Sequence, residues 1–273
     1  MLDKIVFVSV IYNDFQNTFE LCKSISNIKF NKNLIECILV DNSDDKSIQI
    51  LIDSLSGDFS FVRVLRPPKN IGYFGAFNYF FEGPFFDQSL VQVVVLCNND
   101  LIFSEHFLDR FSRSSYPNDV FVVCPDVHTT EGVHQNPHVL QPRSSLVRLK
   151  LDFYFTHYYL ACILNILKRF GQNIWGRKRR MTPFAPGYLH MGIGACYVLM
   201  PFFVSKLRRL EYPHFLYGEE AYFTKQVHSS GGKLYYDPNL EVLHKESATL
   251  SKLPKRITYE FARDGYWRYR NFY

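Results

Sequence analysis

The sequence predicts an α/β fold in which a mostly parallel central sheet carries helices on both faces. Strand patterns and helix patterns alternate four times in the first 100 residues, which is typical of such sheets. The fourth strand pattern, VQVVVLCNND at 91–100, contains three consecutive valines, as expected of a strand buried on both faces. Polar residues follow each predicted strand, and the carboxyl ends of such strands meet at one edge of the sheet. We therefore expect a ligand-binding crevice at this edge.

Four strands and three helices are predicted in this first part of the chain. The strands cover residues 4–11, 34–40, 61–65 and the stretch 91–100, whose last three residues lie where the strand should stop. The helices cover 15–28, 46–55 and a stretch that begins within 70–78. Asp and Asn side chains after the strands can cap the helices that follow them. The residues that would converge on the carboxyl edge are Tyr12, Asn13, Asp41, Asn42, Asn70, Gly72, Asn98, Asn99 and Asp100.

The triplet Asn98, Asn99 and Asp100 has two interpretations. A carboxylate at the end of a buried strand can bind a hard cation that bridges phosphate oxygens, but Asn and Asp are also common turn formers. The chain has neither G-x-G-x-x-G after the first strand nor G-x-x-x-x-G-K-[ST], which disfavours a dinucleotide fold and a P-loop. A divalent metal at Asp100 is then the simplest way to neutralise a bound diphosphate.

Composition places the chain among globular proteins with free thiols. It has 273 residues, of which 47% are hydrophobic and 21% charged, enough for a sizeable core in one large or two small domains. The six cysteines show no CxxC spacing and several lie in apolar runs, which indicates buried thiols in a reducing cytoplasm. The apolar run near the N-terminus is too short for a signal peptide. We expect a cytoplasmic protein.

A basic, aromatic segment follows the first half of the chain. Between residues 141 and 181, nine Lys or Arg side chains and one Asp give a net charge of +8. Within this segment, residues 151–167 are predicted to form one helix that is apolar nearly all round but too short for a membrane span. Such a helix fits an anionic membrane surface with flanking cations, or it packs on the domain with a solvated basic edge. No nucleic-acid-reading motif accompanies the basic residues, so we expect no nucleic-acid partner.

The second half contains a glycine turn and a pair of acids. Gly192 and Gly194 precede an apolar strand, where glycine permits either a turn or close approach of the backbone to a ligand. Glu219 and Glu220 open a predicted helix that runs to Ser229. Acids in a first turn complement the helix dipole, whereas apolar neighbours such as those present here raise the basicity of a carboxylate.

The last predicted strands place a histidine near the same edge. They cover 233–236 and 240–244, with a turn at 237–239, and the second strand ends at His244. A histidine at such a position is usually structural, but it can also complete the coordination of a metal held by Asp100.

Seven short motifs occur in order along about nine tenths of the chain: SVIYN at 9–13, VDNS at 40–43, NIGYFGAFN at 70–78, NND at 98–100, GIGAC at 192–196, FLYGEE at 215–220 and VLHKES at 242–247. This series resembles the family 2 glycosyltransferases of the GT-A fold. It is most similar to bacterial enzymes of surface-polysaccharide biosynthesis (O-antigen, capsule), including rhamnosyl- and galactofuranosyltransferases. The resemblance implies inverting transfer from a UDP- or dTDP-sugar to a saccharide hydroxyl, with Mn²⁺ or Mg²⁺ as cofactor.

The resemblance also implies roles for individual residues. Glu220 would be the catalytic base with Glu219 beside it, and Asp100 and His244 would bind the metal. Tyr12 and Asp41 would hold the pyrimidine base. The residues that would bind the nucleotide sugar are Tyr12, Asn13, Asp41, Asn70, Gly72, Asn98, Asn99, Gly194, Arg268 and Arg270. For the two arginines, a basic helix end is an alternative interpretation.

Two departures from the family pattern bear on activity. The aspartate-rich triplet of the family is NND here, which leaves one carboxylate and a weaker or substrate-dependent metal site. The usual Glu-Asp pair is Glu-Glu, and the extra methylene of Glu220 shifts its carboxylate by roughly 1–1.5 Å, enough to disturb a reaction geometry.

Three hypotheses follow, in decreasing order of support. The first is a metal-dependent glycosyltransferase at the inner face of the cytoplasmic membrane that acts on a lipid-linked saccharide. The second is a non-catalytic sugar-nucleotide or glycan-binding protein with the same fold, and the third is a nucleotidyltransferase, which lacks a basic glycine-rich loop here. We divide the chain into a nucleotide-sugar-binding half at 1–125, an insertion at 126–181, an acceptor and catalytic half at 182–248, and a C-terminal helix at 249–273.

Overall fold

In the computed structural model, the described residues are 3–90, 92–175, 181–207, 209–212, 218–246 and 255–272, and the side chains of 168–175 and 255 are not among them. Parts of the sequence predictions therefore lie outside the described residues, namely Val91, the basic residues at 177–180, the motif residues 215–217 and Ser247.

The chain alternates strands and helices in its first half, as predicted. The strands are β1 (Lys4–Ile11), β2 (Ile35–Asp41), β3 (Val62–Leu65), β4 (Gln92–Asn98), β5 (Leu101–Phe103), β6 (Val120–Thr129), β7 (Gly187–Leu189), β8 (Cys196–Leu199) and β9 (Lys233–His244). The α-helices are α1 (Phe15–Ser26), α2 (Lys46–Asp58), α3 (Tyr73–Phe81), α4 (Phe107–Arg113), α5 (Ser145–Tyr154), α6 (Tyr158–Trp175), α7 (Pro201–Lys206), α8 (Glu219–Ser229) and α9 (Lys255–Tyr269).

The nine strands of the described residues form one sheet. Its order is β3-β2-β1-β4-β8-β6-β9-β5, with β7 paired to β9 outside this path. The long ladders are parallel and join β1 to β2 and β4, β2 to β3, and β6 to β9. The short strand β8 runs antiparallel between β4 and β6, and β5 and β7 run antiparallel to β9. The predicted mostly parallel sheet is confirmed.

Two cores cover the two faces of this sheet. Successive side chains of a strand point to opposite faces, so Ile5 and Phe7 of β1 enter one core while Val6 and Val8 enter the other. Helices α1, α2 and α4 complete the first core, and α3, α7 and α8 complete the second. All four β1 side chains are fully buried, which explains why strands of this sheet have nearly continuous apolar sequences.

The fourth strand ends at Asn98, where the polar triplet 98–100 predicts its end, and a separate strand that was not predicted, β5, begins three residues later. Two other predictions about strands were wrong. The sequence predicts a loop rich in His and Pro over 127–142, but the loop begins later because β6 extends to Thr129. The turn predicted at 237–239 is an irregularity inside the continuous strand β9, where the register with β6 shifts and the Asp237 carboxylate accepts from the Asn239 amide at 2.9 Å.

The single helix predicted at 151–167 was also wrong, because two helices, α5 and α6, occupy this region. The first ends at Tyr154, and the ring of the next residue, Phe155, stacks on Tyr266 and Tyr259 of α9 with centroid distances of 4.7 and 5.9 Å. Just beyond it, the Thr156 hydroxyl donates to the Asp152 carbonyl at 2.8 Å. The aromatic contacts with α9 thus turn the chain where the sequence pattern alone continues as a helix.

All six cysteines are free and five of them are buried, which confirms the expectation of buried thiols. Burial raises the pKa of Cys97, Cys124 and Cys196. These thiols behave as core side chains, because the thiolate is the reactive form of cysteine.

Every helix in the described part of the chain is too short or too polar to cross a bilayer.

Candidate active site

The carboxyl ends of β1, β2 and β4 lie side by side because these strands pair in parallel. Ile11 is level with Asp41 at the ends of the first two strands. The turn before β8 reaches the same edge from the opposite direction, since the backbone amide of Asn98 donates to the Ala195 carbonyl at 2.9 Å. Residues from both halves of the sequence therefore meet at one edge of the sheet, which we call the carboxyl edge.

Asp41, the last residue of β2, is fully buried and its carboxylate is held by an arginine. Arg66 donates from Nε and Nη2 to Asp41 Oδ2 at 3.0 and 2.8 Å, and the Ser43 amide donates to Oδ1 at 3.0 Å. The hydrogen bond from Arg66 to Asp53 raises the pKa of the guanidinium most, and the hydrogen bond to Asp41 raises it further. The structure thus places Asp41 at the carboxyl edge, and its contact with a pyrimidine stays a prediction.

Tyr12 and Asn13 lie beside Asp41 and share a partner. The Tyr12 hydroxyl donates to Asp44 Oδ2 at 3.2 Å, and Asn13 Nδ2 donates to Asp44 Oδ1 at 2.5 Å. The bond from Asn13 is the main reason that the pKa of Asp44 is lowered. Asn13 has φ of 50°, a left-handed conformation that Asn tolerates better than most residues. The Tyr12 side chain is 39% exposed, which is compatible with the predicted contact to a base.

Asn70 and Gly72 form the turn that leads into α3. The Gly72 amide donates to Asn70 Oδ1 at 3.0 Å, and the Gly72 carbonyl accepts from Asn42 Nδ2 at 3.2 Å. Gly72 has φ of 75°, so a side chain there would be strained. These contacts fix the turn next to Asp41, at the place where the sequence predicts the base and ribose.

Tyr73, the first residue of α3, connects this turn to the glycine turn before β8. Its hydroxyl donates to the Gly194 carbonyl at 2.7 Å. Burial raises the pKa of this hydroxyl well above its usual range, so it stays protonated and donates.

The three residues after β4 have different surroundings. Asn98 is half-buried at the carboxyl edge. The side-chain amide of Asn99 instead contacts α1 and its cap. It donates to Thr18 Oγ1 at 3.1 Å and to the Asp14 carbonyl at 3.4 Å. The side chain of Asn99 therefore helps to hold the first helix, and its predicted contact with the nucleotide sugar is untested.

Asp100 and His244 are brought together by the pairing of β5 with β9. Asp100 is 5% exposed, and its Oδ1 atom lies 3.2 Å from His244 Nε2. A carboxylate oxygen and an imidazole nitrogen are suitable donors for Mn²⁺, and the carboxylate suits Mg²⁺ as well. No group of three or more His, Cys, Asp or Glu side chains in the described ranges is arranged to hold a metal ion. The pair fits a cation whose remaining ligands are phosphate oxygens and water.

Helix α8 presents the two predicted acids. Glu219 is 9% exposed, and Glu220 is half-buried and lies against the glycine turn. The Gly194 amide donates to Glu220 Oε1 at 3.4 Å, and a Cβ atom built on Gly194 would lie 3.0 Å from the same oxygen. The absence of a side chain at Gly194 thus admits the Glu220 carboxylate, an explanation that the sequence analysis did not contain.

Helix α9 supports the start of α8 and the insertion. Gly218, with φ of 100°, lies so close to Tyr269 that a Cβ atom would be 2.2 Å from the ring. Arg270 Nη2 donates to Asp152 Oδ2 of α5 at 2.8 Å, whereas Arg268 is exposed. The structure gives Arg270 a partner within the protein, and the predicted phosphate contacts of both arginines are untested.

Several contact residues at the carboxyl edge were missed by the sequence analysis. Arg66 pairs with Asp41, and Gln135 contacts His244 through its Oε1 atom, 2.8 Å from His244 Nδ1. Asn136 is fully buried and its Oδ1 accepts from the Ile193 amide at 2.8 Å. The only sequence signals are a basic residue after a strand and three consecutive polar residues in a loop, and both patterns are common.

The sequence profile named Glycosyl transferase family 2 matches residues 7–179. No curated protein resembles the chain closely enough in sequence to count as a relative.

Three solved structures illustrate the similarity of fold. The mannosyltransferase PcManGT from Pyrobaculum calidifontis, in complex with GDP-Man and Mn²⁺, has a TM-score of 0.57 at 11% identity over 94% of this chain and 59% of its own. GalNAc-T7 with UDP, GalNAc and Mn²⁺ has a TM-score of 0.63 at 14% identity over 99% of this chain and 48% of its own. S. aureus TarS has a TM-score of 0.55 at 13% identity over 90% of this chain and 37% of its own.

This chain spans less than two thirds of the length of each of these proteins, and at such identities the likeness establishes the fold alone. The curled, mostly parallel sheet with helices on both faces is the GT-A fold. Since the family profile covers more than half of the sequence, the chain belongs to glycosyl transferase family 2.

Proposed function

We propose that this chain transfers a sugar from a UDP- or dTDP-sugar to an acceptor hydroxyl, with inversion at the anomeric carbon. The observation that carries the proposal is the convergence of Asp100, His244 and Glu220 on the carboxyl edge. Two hydrogen bonds from backbone amides link the end of β4, before Asp100, to Glu220. The backbone amide of Asn98 donates to the Ala195 carbonyl, and the backbone amide of the neighbouring Gly194 donates to the Glu220 carboxylate. A basic group and a cation-binding pair on one edge are the two parts that such a transfer requires.

The acceptor hydroxyl gives its proton to the Glu220 carboxylate as its oxygen bonds to the anomeric carbon. On the opposite face of the sugar, the bond from the anomeric carbon to the diphosphate oxygen breaks, and the nucleoside diphosphate leaves with the electron pair. The products are the glycoside, the nucleoside diphosphate and a protonated Glu220. The half-buried position of Glu220 limits water around the carboxylate while leaving it accessible to an acceptor.

Asp100 and His244 would hold the Mn²⁺ or Mg²⁺ ion, which when bound stabilises negative charge on the departing diphosphate. The neighbours PcManGT and GalNAc-T7 contain Mn²⁺ together with a nucleotide or nucleotide sugar. These two neighbours carry different nucleotides, so they do not indicate the base that this chain binds. The proposal that the donor carries UDP or dTDP rests on Asp41, because a carboxylate accepts equally from the N–H of uracil and thymine. The transferred sugar is a hexose or rhamnose in this proposal.

The acceptor that we propose is a lipid-linked saccharide of surface-polysaccharide biosynthesis, met at the inner face of the cytoplasmic membrane. Support comes from the insertion, where α5 and α6 carry large apolar side chains that are exposed to solvent. These are Leu146, Val147, Leu149, Phe153, Tyr159, Ile163, Ile166 and Leu167, with exposed fractions of 40–73%. The surrounding segment has a net charge of +8, which suits an anionic lipid surface.

Calorimetric titration of UDP and dTDP, each with and without Mn²⁺, tests the donor site. We expect manganese-dependent binding of at least one nucleotide by the parent chain and its loss in Asp100→Ala. The matched control is Asp58→Ala, which removes an exposed carboxylate at the far end of α2. Binding of neither nucleotide under any condition would contradict the donor-site assignment.

The alternative is a sugar-nucleotide or glycan-binding protein of the same fold without catalysis. The single carboxylate in the 98–100 triplet and the longer Glu at 220 favour it. Nucleotide binding without donor hydrolysis and without transfer to any saccharide acceptor would support this alternative.

A further inference from the structure

Three consecutive residues, 134–136, form a short segment beside β6 that is fixed at both ends. At one end, His134 Nδ1 lies 2.8 Å from both carboxylate oxygens of Asp126. At the other end, the fully buried Asn136 accepts from the Ile193 amide and donates to the Pro125 carbonyl, both at 2.8 Å. The backbone of Gln135 between them is therefore held in place, and its side chain projects toward His244.

The orientation of the Gln135 amide follows from its two neighbours. One end of the amide lies 2.7 Å from Glu246 Oε1, and the other lies 2.8 Å from His244 Nδ1. An ionised carboxylate only accepts hydrogen bonds, so the NH₂ group of Gln135 must face Glu246. The carbonyl oxygen of Gln135 then faces His244.

This orientation determines the direction of the hydrogen bond at His244 Nδ1. The Gln135 oxygen can only accept, so His244 Nδ1 must donate to it. Nε2 is then the nitrogen that faces the carboxylate, 3.2 Å from Asp100 Oδ1, and these two atoms are the donors that the pair offers to a cation.

We propose that Gln135, oriented by Glu246, is a positioning residue that accepts a hydrogen bond from Nδ1 of His244 and so presents Nε2, together with Asp100, to the divalent cation. The part that concerns the cation rests on the proposed function, whereas the part that concerns the proton on Nδ1 does not. An acceptor on the second nitrogen of a metal-binding histidine sets the ring orientation and raises the basicity of the first.

The proton on Nδ1 is tested without metal by long-range ¹H–¹⁵N correlation spectra of chain labelled with ¹⁵N-histidine, at a pH about two units above the ordinary histidine pKa of about 6.5. The signals of His244 are assigned by their loss in His244→Gln. We expect a protonated Nδ1 in the parent chain. Gln135→Leu should leave Nδ1 unprotonated, and Gln88→Leu, an exposed control before β4, should not. A parent spectrum with an unprotonated Nδ1 at His244 would overturn the inference.

The cation part is tested by electron paramagnetic resonance titration of Mn²⁺ in the presence of UDP or dTDP. We expect Gln135→Leu to weaken Mn²⁺ binding by about 10–100-fold, as for other second partners of metal-binding histidines. The exchange Gln135→Glu with Glu246→Gln should retain nearly parental affinity, because the new carboxylate accepts from both His244 and the amide at 246. Unchanged affinity in Gln135→Leu would refute this part.

The two measurements separate the inference from the proposed function. A protonated Nδ1 that depends on Gln135, in a parent chain that binds no Mn²⁺ with either nucleotide, would support the positioning role and contradict the metal site of the proposed function.

Discussion

Glu220 is the residue on which the proposed chemistry depends most directly. Its carboxylate lies against the Gly194 amide, where it can be replaced by an amide of the same shape. We expect Glu220→Gln to lower kcat for sugar transfer by about 10²–10⁴-fold, the usual contribution of a general base, with little change in donor KM. Glu241→Gln, which alters an exposed carboxylate on β9, is the control.

The same experiment distinguishes catalysis from binding alone. If Glu220→Gln transfers sugar as fast as the parent chain, then Glu220 is not the base and Glu219 becomes the next candidate. Glu220→Asp restores the acid pair that the family resemblance implies, and we expect it to retain more activity than Glu220→Gln.

Arg66 is expected to matter for stability as well as for the site. Loss of its guanidinium leaves the fully buried Asp41 carboxylate without a cation. We predict that Arg66→Met lowers the free energy of unfolding by about 2 kcal/mol, below the cost for a fully buried pair because Arg66 is partly exposed. Urea denaturation measures this change.

A double substitution provides the check on this explanation. Asp41→Asn with Arg66→Met should recover more than half of the lost stability, since the buried charge is removed together with its partner. Arg63→Met, which removes an exposed arginine that donates to the Ser60 and Val62 carbonyls, should change stability little. Equal losses for Arg66→Met and Arg63→Met would contradict the role given to the ion pair.

Individual residues of the candidate site were predictable from sequence to different degrees. Asp41 and Asp100 could be placed at the carboxyl edge because they end or follow strongly patterned strands, whereas the role of Glu220 came from the family resemblance. Gln135 could not, because its importance arises from His244, 109 residues away in sequence. Contacts of this kind depend on strand pairing and leave no local pattern.

At the scale of a single element, α8 depends on glycines at both of its ends. Gly218 and Gly231 both have positive φ values, but only Gly218 lies against a side chain, the ring of Tyr269. We expect Gly231→Ala to cost about 1–2 kcal/mol for the left-handed backbone alone. Gly218→Ala should cost more, because the ring must also move, and it should displace Glu219 and Glu220 from the site.

Thermal and urea denaturation of the two variants measure the difference, and nucleotide titration reports on the site. Equal stability of the two variants would show that the ring of Tyr269 yields without cost. In that case α9 would not support the start of α8 as the structure indicates.

The elements that were predicted correctly are strands whose apolar residues cover both faces and helices whose apolar residues cover one face. The first four strands and the helices between them belong to this group, and so does α8. The strand β5 has three residues, too few for a period, and β9 contains Pro238, which reads as a turn. The break between α5 and α6 arises from contacts of Phe155 with α9, so only the tertiary structure reveals it.

At the scale of the whole molecule, the exposed apolar faces of α5 and α6 predict a preference for anionic membranes. We expect the chain to sediment with vesicles that contain anionic lipid and not with purely zwitterionic vesicles. Replacing Leu146, Leu149 and Phe153 by Ser should weaken this binding more than tenfold, at about 1 kcal/mol or more for each side chain.

The control for this experiment is the pair Ile50→Ser and Leu51→Ser, which removes exposed apolar side chains from α2 instead. Equal binding to zwitterionic vesicles would contradict the electrostatic part of the prediction. Dimers in solution that dissociate in the triple variant would assign the apolar faces to a second copy of the chain.

The overall architecture was predictable because the first half of the chain repeats one simple unit. The second half was less so, since β8 enters the sheet antiparallel between β4 and β6, and such insertion has no signature in a four-residue strand. The four-section division of the chain stays a prediction. Strands from the first section, 1–125, and from the third section, 182–248, belong to one sheet.

The place of β9 in that sheet also affects how the protein is made. The strand pairs with β6 on one side and with β5 and β7 on the other, yet the ribosome completes it only at residue 244. Until then a growing chain has an open edge on β6, and Asp100 has no histidine beside it. Open strand edges invite pairing with other chains. Protection of this edge during translation is therefore a requirement of the fold, and nascent chains stalled before residue 233 are the species most exposed to aggregation.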